Sequence, residues 1–291
     1  MKKLIGLSLG MCLLSTCSGL VLAQAVNADG TNPPPKVLVI QREFVKPGKT
    51  GMVHDRSESA FVRAMVDAKS QSYYFGMTSL SGQSRALFFV PYDSFEAWEK
   101  DNQSIEHNAT LSAALDHATA ADGDLLSSYD SSVWTFNPEQ SLNASVKIAE
   151  MRYMELTTFK VRPGHRREWG ELVKLYQQGY EKVPNAHWAT FEGMYGGDLG
   201  GVYLVAIPMR SMSEIDQSMS DSKQFEAALG ESGLKRLGEL TAACVESEAT
   251  NLFLFNPKMS YVPEAWVKAD PGFWKPKMAA PAKKEAAKPV Q

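Results

Sequence analysis

The side chains best suited to chemistry in this chain are carboxylates that fall on predicted strands. Glu43, Glu155 and Glu192 lie in runs where apolar and polar residues alternate, the pattern of a strand with one buried face. A carboxylate on such a face is costly unless it is paired or hydrogen-bonded. Burial also raises its pKa, which suits it to act as a base near neutral pH. The glutamates therefore predict a polar cavity or ligand site.

Neighbouring strand residues would complete this site. Side chains alternate across a strand, so Leu38 and Ile40 are assigned to the face that meets the helices, and Glu43 to the opposite, interior face. A slip of one residue in register would invert this assignment. Trp134 and Tyr203 would add aromatic walls. The predicted ligand-binding residues are Gln41, Glu43, Glu155, Thr157, Trp188 and Glu192.

The five histidines do not form a ligand set in the sequence. His54 and Glu58 stand four residues apart on a predicted helix and are interpreted as a surface pair. His107 and His117 point about 80° apart around a helix, and His187 is interpreted as a strand-end residue beside Trp188. The sequence has no H-E-x-x-H, paired C-x-x-C, calcium-loop or G-x-S-x-G pattern. It therefore predicts no metal ion and no cofactor, and it leaves the catalytic residues unknown.

Two series of elements in the same order would position these side chains. Each has a strand ended by Pro-Gly, a helix, a hairpin of two strands, a second helical region and a last strand. The order β-α-β-β-α-β defines the ferredoxin-like unit. The predicted bounds are 37–45, 51–69, 72–80, 85–91, a helical region from 93 and 133–136 in the first series, and 153–161, 166–181, 187–195, 202–208, a helical region from 211 and 252–255 in the second.

Matching residues indicate that the second series repeats the first. The landmarks are Val45-Lys-Pro-Gly with Val161-Arg-Pro-Gly, Gly76-Met77 with Gly193-Met194, Pro91 with Pro208, and Phe136-Asn-Pro with Phe255-Asn-Pro. They stay in order at a nearly constant offset of 116 to 119 residues. An internal repeat of this kind defines the architecture of a chain. The predicted repeats span 36–141 and 151–260.

A first strand ending in Val-x-Pro-Gly within such a unit resembles the dimeric α/β-barrel superfamily, which includes antibiotic-biosynthesis-monooxygenase-like and NIPSNAP-like domains. The resemblance covers residues 36–138 and 151–257. It implies an α+β fold in which two tandem ferredoxin-like units form one intramolecular α/β barrel. The superfamily includes cofactor-free oxygenases, haem-binding enzymes, isomerases and proteins without known activity, so the fold does not choose the function.

The ends of the chain predict export. Lys2 and Lys3 precede an apolar stretch and a small-residue cleavage site at Ala23, which is typical of a secretory signal peptide over 1–23. A linker over 24–35 follows. No later stretch is long and apolar enough to span a membrane. The protein is therefore predicted to be periplasmic or secreted, as a monomer or homodimer.

Net charge and cysteine content limit the classes of partner and the covalent links that the chain can have. The chain carries a net charge of −3, and its Ala/Pro/Lys-rich end, predicted to be a disordered tail over 268–291, is basic, so the body is more acidic than the whole. An acidic body argues against nucleic-acid binding. Cys244 is the only cysteine after residue 23, which excludes an intrachain disulfide in the mature chain.

Three functions fit these features. The favoured one is an exported, non-catalytic protein that binds a small molecule between its two repeats. The second is a cofactor-independent monooxygenase-like enzyme that uses Glu43, Glu155 or Glu192 as its base. The third is an envelope interaction protein whose basic tail binds an anionic partner.

Overall fold

The computed structural model describes Asn27 and residues 30–275, so the predicted signal peptide lies outside the described residues. This part of the chain forms eight strands and seven α-helices. The strands are β1 (Val37–Val45), β2 (Tyr74–Ser79), β3 (Arg85–Tyr92), β4 (Leu126–Phe136), β5 (Tyr153–Val161), β6 (Ala189–Tyr195), β7 (Val202–Met209) and β8 (Val245–Tyr261). The helices are α1 (Met52–Asp67), α2 (Phe95–His107), α3 (Ala109–Gly123), α4 (Arg166–Tyr180), α5 (Ser213–Cys244), α6 (Glu264–Ala269) and α7 (Pro271–Trp274).

The eight strands close into one antiparallel barrel. The order around it is β1-β3-β2-β8-β5-β7-β6-β4. The order β4-β1-β3-β2 in the first half is the same as the order β8-β5-β7-β6 in the second. The halves join where β2 pairs with β8 and β4 with β6. At the first seam, Gly76 allows close approach, because a Cβ there would lie 2.7 Å from the Met259 carbonyl oxygen.

The barrel interior is an apolar core to which all eight strands contribute. Leu38 and Ile40 of β1 share this core with Met154 and Leu156 of β5. These residues were expected to face the helices, so the face assignment made from the sequence was wrong. Glu43 and Gln41, which have the opposite parity, lie on the outer face of the barrel, beneath the helices. The interior is therefore the main hydrophobic core rather than a polar cavity.

Helices cover the outer face of each half. In the second half, α4 packs against α5, and residues of both helices form an apolar cluster with β5 and β7: Val161, Trp169, Leu172, Val173, Tyr203, Leu240 and Cys244. In the first half, α1 packs against α3 and β8. The turn before α1 needs Gly48 at φ +79°, and the turn before α4 needs Gly164 at φ +86°, values that glycine adopts without strain.

The C-terminal segment differs from its prediction over residues 268–275. These residues, assigned to a disordered tail, belong to α6 and α7 or directly follow them. Trp266 and Trp274 join the barrel core, and the Trp274 Nε1–H donates a 2.8 Å hydrogen bond to the Ala149 carbonyl. Residues 276–291 lie outside the described residues. Within the described part of the chain, no helix is long and apolar enough to cross a membrane.

Candidate functional site

Four buried ionisable side chains meet under the helices of the first half. Glu43 comes from β1, His54 and Glu58 from α1, and Asp122 from the last turn of α3. Only 2 to 8% of the surface of each residue is exposed. Ionisable residues are almost never buried to this extent unless they are paired. We call Glu43, His54, Glu58 and Asp122 the carboxylate–histidine cluster.

Local sequence explains how the cluster assembles. His54 and Glu58 are one helical turn apart, so both project from the same side of α1 toward the barrel. Glu43 is two residues from the end of β1 and points outward because its parity is opposite to that of Ile40. Asp122 reaches the same point because α3 packs along α1.

The imidazole of His54 lies close to all three carboxylates of the cluster. His54 Nε2 lies 3.1 Å from Glu43 Oε2, within hydrogen-bond range. The same nitrogen lies 3.7 Å from Glu58 Oε1 and 3.7 Å from Asp122 Oδ1. One ligand atom from each residue falls within 4.8 Å of the other three. One atom of the size of a metal ion could therefore contact all four side chains.

Three carboxylate oxygens of the cluster lack a hydrogen-bond donor. Glu58 Oε1 and both oxygens of Asp122 are buried, and no N–H or O–H group of the described residues donates to them. A proton kept on one carboxyl and shared with the other would satisfy at most two of these three oxygens. A buried acceptor left without a partner costs about 1–3 kcal/mol, and more if it is charged.

The electrostatics of the cluster follow from burial and from like charge. Burial, then the charges of Glu43 and Asp122, raise the pKa of Glu58 to about 10. The pKa of Glu43 is also raised, chiefly by burial, although its hydrogen bond to His54 opposes the rise. At neutral pH the cluster therefore either retains protons or requires a cation.

Tyr74 of β2 carries a further buried polar group of the first half. Its hydroxyl is buried and has no hydrogen-bond partner among the described residues. Burial raises the pKa of the phenol, and the nearby charges of Glu58 and Glu43 raise it further. The ring packs edge-on against Phe88, with centroids 6.1 Å apart. The phenol of Tyr74 therefore keeps its proton at neutral pH.

The predicted ligand-binding residues do not come together. Gln41 shares the outer face of β1 with Glu43, but Glu155 lies in the other half. There the pKa of Tyr180 is raised by burial and then by the charge of Glu155. Burial raises the pKa of Glu155 itself. Glu192 forms an ion pair with Arg166. These glutamates thus occupy separate places on the barrel.

The remaining two predicted residues have structural contacts. Thr157 Oγ1 lies 2.9 Å from Thr250 Oγ1 across β5 and β8. The Trp188 Nε1–H donates a 2.8 Å hydrogen bond to the Gln140 carbonyl. His187 places one ring nitrogen 2.7 Å from the Asn185 carbonyl and the other 2.8 Å from the Pro208 carbonyl, so neither nitrogen is free for a ligand.

Sequence reasoning missed most of the cluster. His54 and Glu58 were interpreted as a surface pair, but both are buried, so that interpretation was wrong. Asp122 was not singled out, and Tyr74 was not considered. The four-residue spacing of His54 and Glu58 was the one available signal. It indicates a shared helix face, but not that the face is turned inward.

A second feature is an apolar cavity of about 70 Å³ at one end of the barrel. Residues preceding β1 cover it, and core residues of both halves line it. Its lining includes Pro33, Pro35, Phe75, Ile148, Trp188 and Ala206. Such a lining has few groups that could orient a polar ligand.

One solved structure supports the fold, and two others are similar at lower TM-scores. A proposed monooxygenase from Fusobacterium nucleatum is 10% identical, with a TM-score of 0.50 over 76% of this chain and 93% of that one. An anthrone oxidase-like protein is 14% identical (TM-score 0.48, 76% and 92% covered). A chlorite dismutase mutant from Candidatus Nitrospira defluvii, in complex with cyanide, is 12% identical (TM-score 0.46, 80% and 95% covered). At 10% identity, the likeness to the Fusobacterium nucleatum structure supports the α/β-barrel fold and nothing further.

No protein-family model matches the chain. No curated protein matches its sequence.

Proposed function

We propose that this protein binds one divalent transition-metal ion at the carboxylate–histidine cluster. One observation carries the proposal: four buried side chains offer ligand atoms within 4.8 Å of one another, and three of their oxygens have no hydrogen-bond donor. Buried charges in proteins are usually paired or coordinate metals. A cation would supply the partner that these oxygens lack.

The ligand types narrow the choice of metal. Three carboxylates and one imidazole offer oxygen together with nitrogen. Calcium and magnesium are bound almost entirely by oxygen, whereas imidazole suits zinc, iron, copper and nickel, and carboxylate suits manganese. We therefore expect Mn²⁺, Fe²⁺, Co²⁺ or Zn²⁺ to bind more tightly than Mg²⁺ or Ca²⁺.

Protons compete with the metal for the same oxygens. The pKa of Glu58, raised to about 10 by burial and by the other carboxylates, means that the metal-free site holds a proton near neutral pH. A divalent cation reverses this effect, because ligating carboxylates must be deprotonated. Metal binding should therefore release at least one proton at pH 7.

Calorimetric titration with Co²⁺, Mn²⁺ and Zn²⁺ tests the proposal, on chain that begins at Gln24 and has been freed of metal by a chelator. We expect one ion to bind per chain. Binding of Co²⁺ should change the colour of the solution from pink to blue. His54→Ala should weaken Co²⁺ binding at least about 100-fold, since loss even of an outer-shell partner typically costs 10- to 100-fold.

His117→Ala is the matched control. His117 lies on α3 near Asp122 in sequence, but it is exposed, so its loss should leave Co²⁺ affinity unchanged. The proposal fails if none of the three ions binds more tightly than about 10 μM. It also fails if His54→Ala and His117→Ala bind Co²⁺ equally.

We also propose that the two halves are tandem copies of a ferredoxin-like unit and that the chain is exported. The shared strand order and the repeated Val-x-Pro-Gly landmarks support the duplication. The Lys-Lys, apolar and Ala23 pattern supports export. N-terminal sequencing of protein from the native host should begin at Gln24, and an intact Met1 on the folded protein would contradict export.

Binding of a small apolar molecule at the barrel end is a second candidate function, and the apolar cavity of about 70 Å³ supports it. Native mass spectrometry of protein from its own host should reveal a bound organic mass. Ala206→Leu, which adds bulk to the cavity wall, should remove that mass. A clean mass for the unmodified chain would contradict this candidate.

A further inference from the structure

We propose that a further cavity, in the first half, binds a small organic cation such as a primary ammonium ion. The cavity has a volume of about 30 Å³ and is lined by residues from the start of β2, the end of β3, α2 and α6. It adjoins the apolar cavity, with which it shares Pro35, Phe75 and Pro91. We call it the aromatic cavity. The proposal is independent of the metal site.

The charged groups in the wall of the aromatic cavity are all acidic. Asp93 and Asp101 line it, and no lysine, arginine or histidine of the described residues does. Asp93 is exposed, which places it at the mouth of the cavity, whereas Asp101 is only 8% exposed. A cavity whose only charged groups are carboxylates attracts cations and repels anions.

Asp101 is buried without a positive partner. A buried carboxylate is usually paired with a cation, but the described residues give Asp101 two neutral donors instead. The Ser72 hydroxyl donates to Oδ1, and the Tyr92 hydroxyl donates to Oδ2 over 2.8 Å. An ionised carboxylate accepts about four hydrogen bonds, so each oxygen can accept one more. An ammonium N–H would supply that bond together with the missing positive charge.

Aromatic residues make up much of the remaining wall: Tyr73, Tyr74, Phe75, Tyr92 and Trp266. Several of these rings are held by other rings, since Phe75 lies 5.7 Å from Trp266 and Tyr73 stacks on Tyr261 at 5.3 Å, centroid to centroid. The face of an aromatic ring attracts a cation within about 6 Å of its centroid, and cages of such rings recognise ammonium ligands. A carboxylate among aromatic rings therefore favours an organic cation.

The number of ligand atoms and the size of the cavity narrow the class of cation. A metal ion requires several ligand atoms, and the described residues place no group of three histidine, cysteine or carboxylate side chains at Asp101. A volume of about 30 Å³ holds two or three water molecules, at about 10–15 Å³ each. We therefore expect a cation of about two to four non-hydrogen atoms.

Ligand-observed NMR titration of the full chain with ethylammonium chloride tests the proposal. Ethanol, which has the same number of non-hydrogen atoms but no charge, is the matched neutral probe, and potassium chloride keeps the ionic strength constant. We expect ethylammonium to bind with a Kd of about 1–10 mM, close to the limit for so small a ligand. Ethanol should bind at least about tenfold more weakly, because it lacks the charge that both the carboxylate and the rings attract.

Three variants and a control locate the binding. Asp101→Asn should weaken ethylammonium binding about tenfold or more, because it removes the charge and keeps the shape of the side chain. Glu99→Gln is the matched control: it removes an exposed acid from the same helix, so binding should stay within about twofold of wild type. Tyr73→Leu should weaken binding about threefold or more, and Tyr73→Phe, which keeps the ring, should bind as wild type does.

A Kd for ethylammonium above about 100 mM would overturn the proposal, and so would ethanol that binds as tightly as ethylammonium. An Asp101→Asn protein that is folded by circular dichroism and binds with wild-type affinity would do the same. If Asp101→Asn does not fold, the Tyr73 variants decide, because equal binding by Tyr73→Leu and Tyr73→Phe would show that the ring does not contact a cation. Each of these failures leaves the metal site standing.

Discussion

The two helix-covered faces of the barrel occupy corresponding places but are filled with opposite chemistry. Glu43 and Phe159 both lie two residues before the valine that ends their strand. Around Glu43 are a histidine and two further carboxylates. Around Phe159 are aromatic rings: Trp169 lies 5.3 Å from Phe159 and 4.9 Å from Tyr203, centroid to centroid.

The helices before the last strand of each half show the same contrast. Near its C-terminal end, α3 places Asp122 in the first face, whereas α5 places Leu240 and Cys244 in the second. The second half shows that this position in the fold can be filled with apolar side chains. The carboxylates of the first half are therefore not required by the architecture, and their burial costs stability. A feature that the fold does not need and that weakens it is a candidate for function.

Truncating an aromatic residue of the apolar face in the second half should cost the most stability. Trp169→Ala should lower the free energy of unfolding by about 3–5 kcal/mol, the usual loss when a buried aromatic side chain is truncated. Co²⁺ affinity should be unchanged, because Trp169 packs in the second half. Urea denaturation, with calorimetric titration of the folded variant, measures both. A fall in Co²⁺ affinity alongside the loss of stability would mean that the two faces are energetically coupled.

The opposite result is expected when the first face is made more like the second. Glu58→Met should raise the unfolding free energy of the metal-free protein at pH 7 by about 1–4 kcal/mol, because the folded wild-type chain must keep on Glu58 a proton that the unfolded chain releases. The same variant should lose Co²⁺ binding, a trade of function for stability. Arg56→Met, on the exposed side of α1, is the control. A destabilised Glu58→Met protein would show that the carboxyl is structural.

The stability of the metal-free protein should also depend on pH through Glu58. The pKa of Glu58 rises from 4.5 to about 10 on folding, so between these values the folded chain holds a proton that the unfolded chain has released. The stability contributed by this group is thus complete below pH 4.5 and is lost as pH rises toward 10. The slope is at most about 1.4 kcal/mol per pH unit for one group.

Urea denaturation of metal-free protein from pH 5 to pH 9 measures this slope, and Glu58→Gln should flatten it. Co²⁺ should bind more tightly over the same range as pH rises, because its ligands must lose protons. The two trends run in opposite directions. A metal-free protein that gains stability with pH would contradict the assigned ionisation.

Much of the fold could be predicted because local signals agreed with it. The predicted bounds of β1 and β5 match the structure residue for residue, since a Pro-Gly turn ends each strand. The last strands were predicted too short. The first half of β4, over 126–132, is rich in serine and lacks apolar alternation. It is held instead by pairing with β1, a long-range contact that no local pattern reveals.

The candidate site could not be predicted, for a reason that lies in β1. Residues 37–40 are apolar on both faces because the barrel interior and the helices both bury them, so alternation alone did not show which face was which. Because the wrong face of β1 was assigned to the interior, the Glu43 side chain was predicted to point into the barrel. Asp122 joins the cluster only through the packing of α3 on α1. No sequence spacing connects it to Glu43.

Removing the Glu155 carboxylate of the second half should change the stability of the protein least. Burial alone raises the pKa of Glu155, with no second acid acting on it, whereas like charges add to the rise at Glu58. Glu155→Gln should therefore change the free energy of unfolding by less than about 1 kcal/mol, the range of partly exposed polar substitutions. It should flatten the pH slope much less than Glu58→Gln does, and it should leave Co²⁺ affinity unchanged. Measured beside Glu58→Gln, it separates the effect of burying one acid from that of grouping three. If the two variants flattened the slope equally, the pH dependence would be a property of any buried glutamate. Grouping three acids in the cluster would then add nothing to the effect of burial.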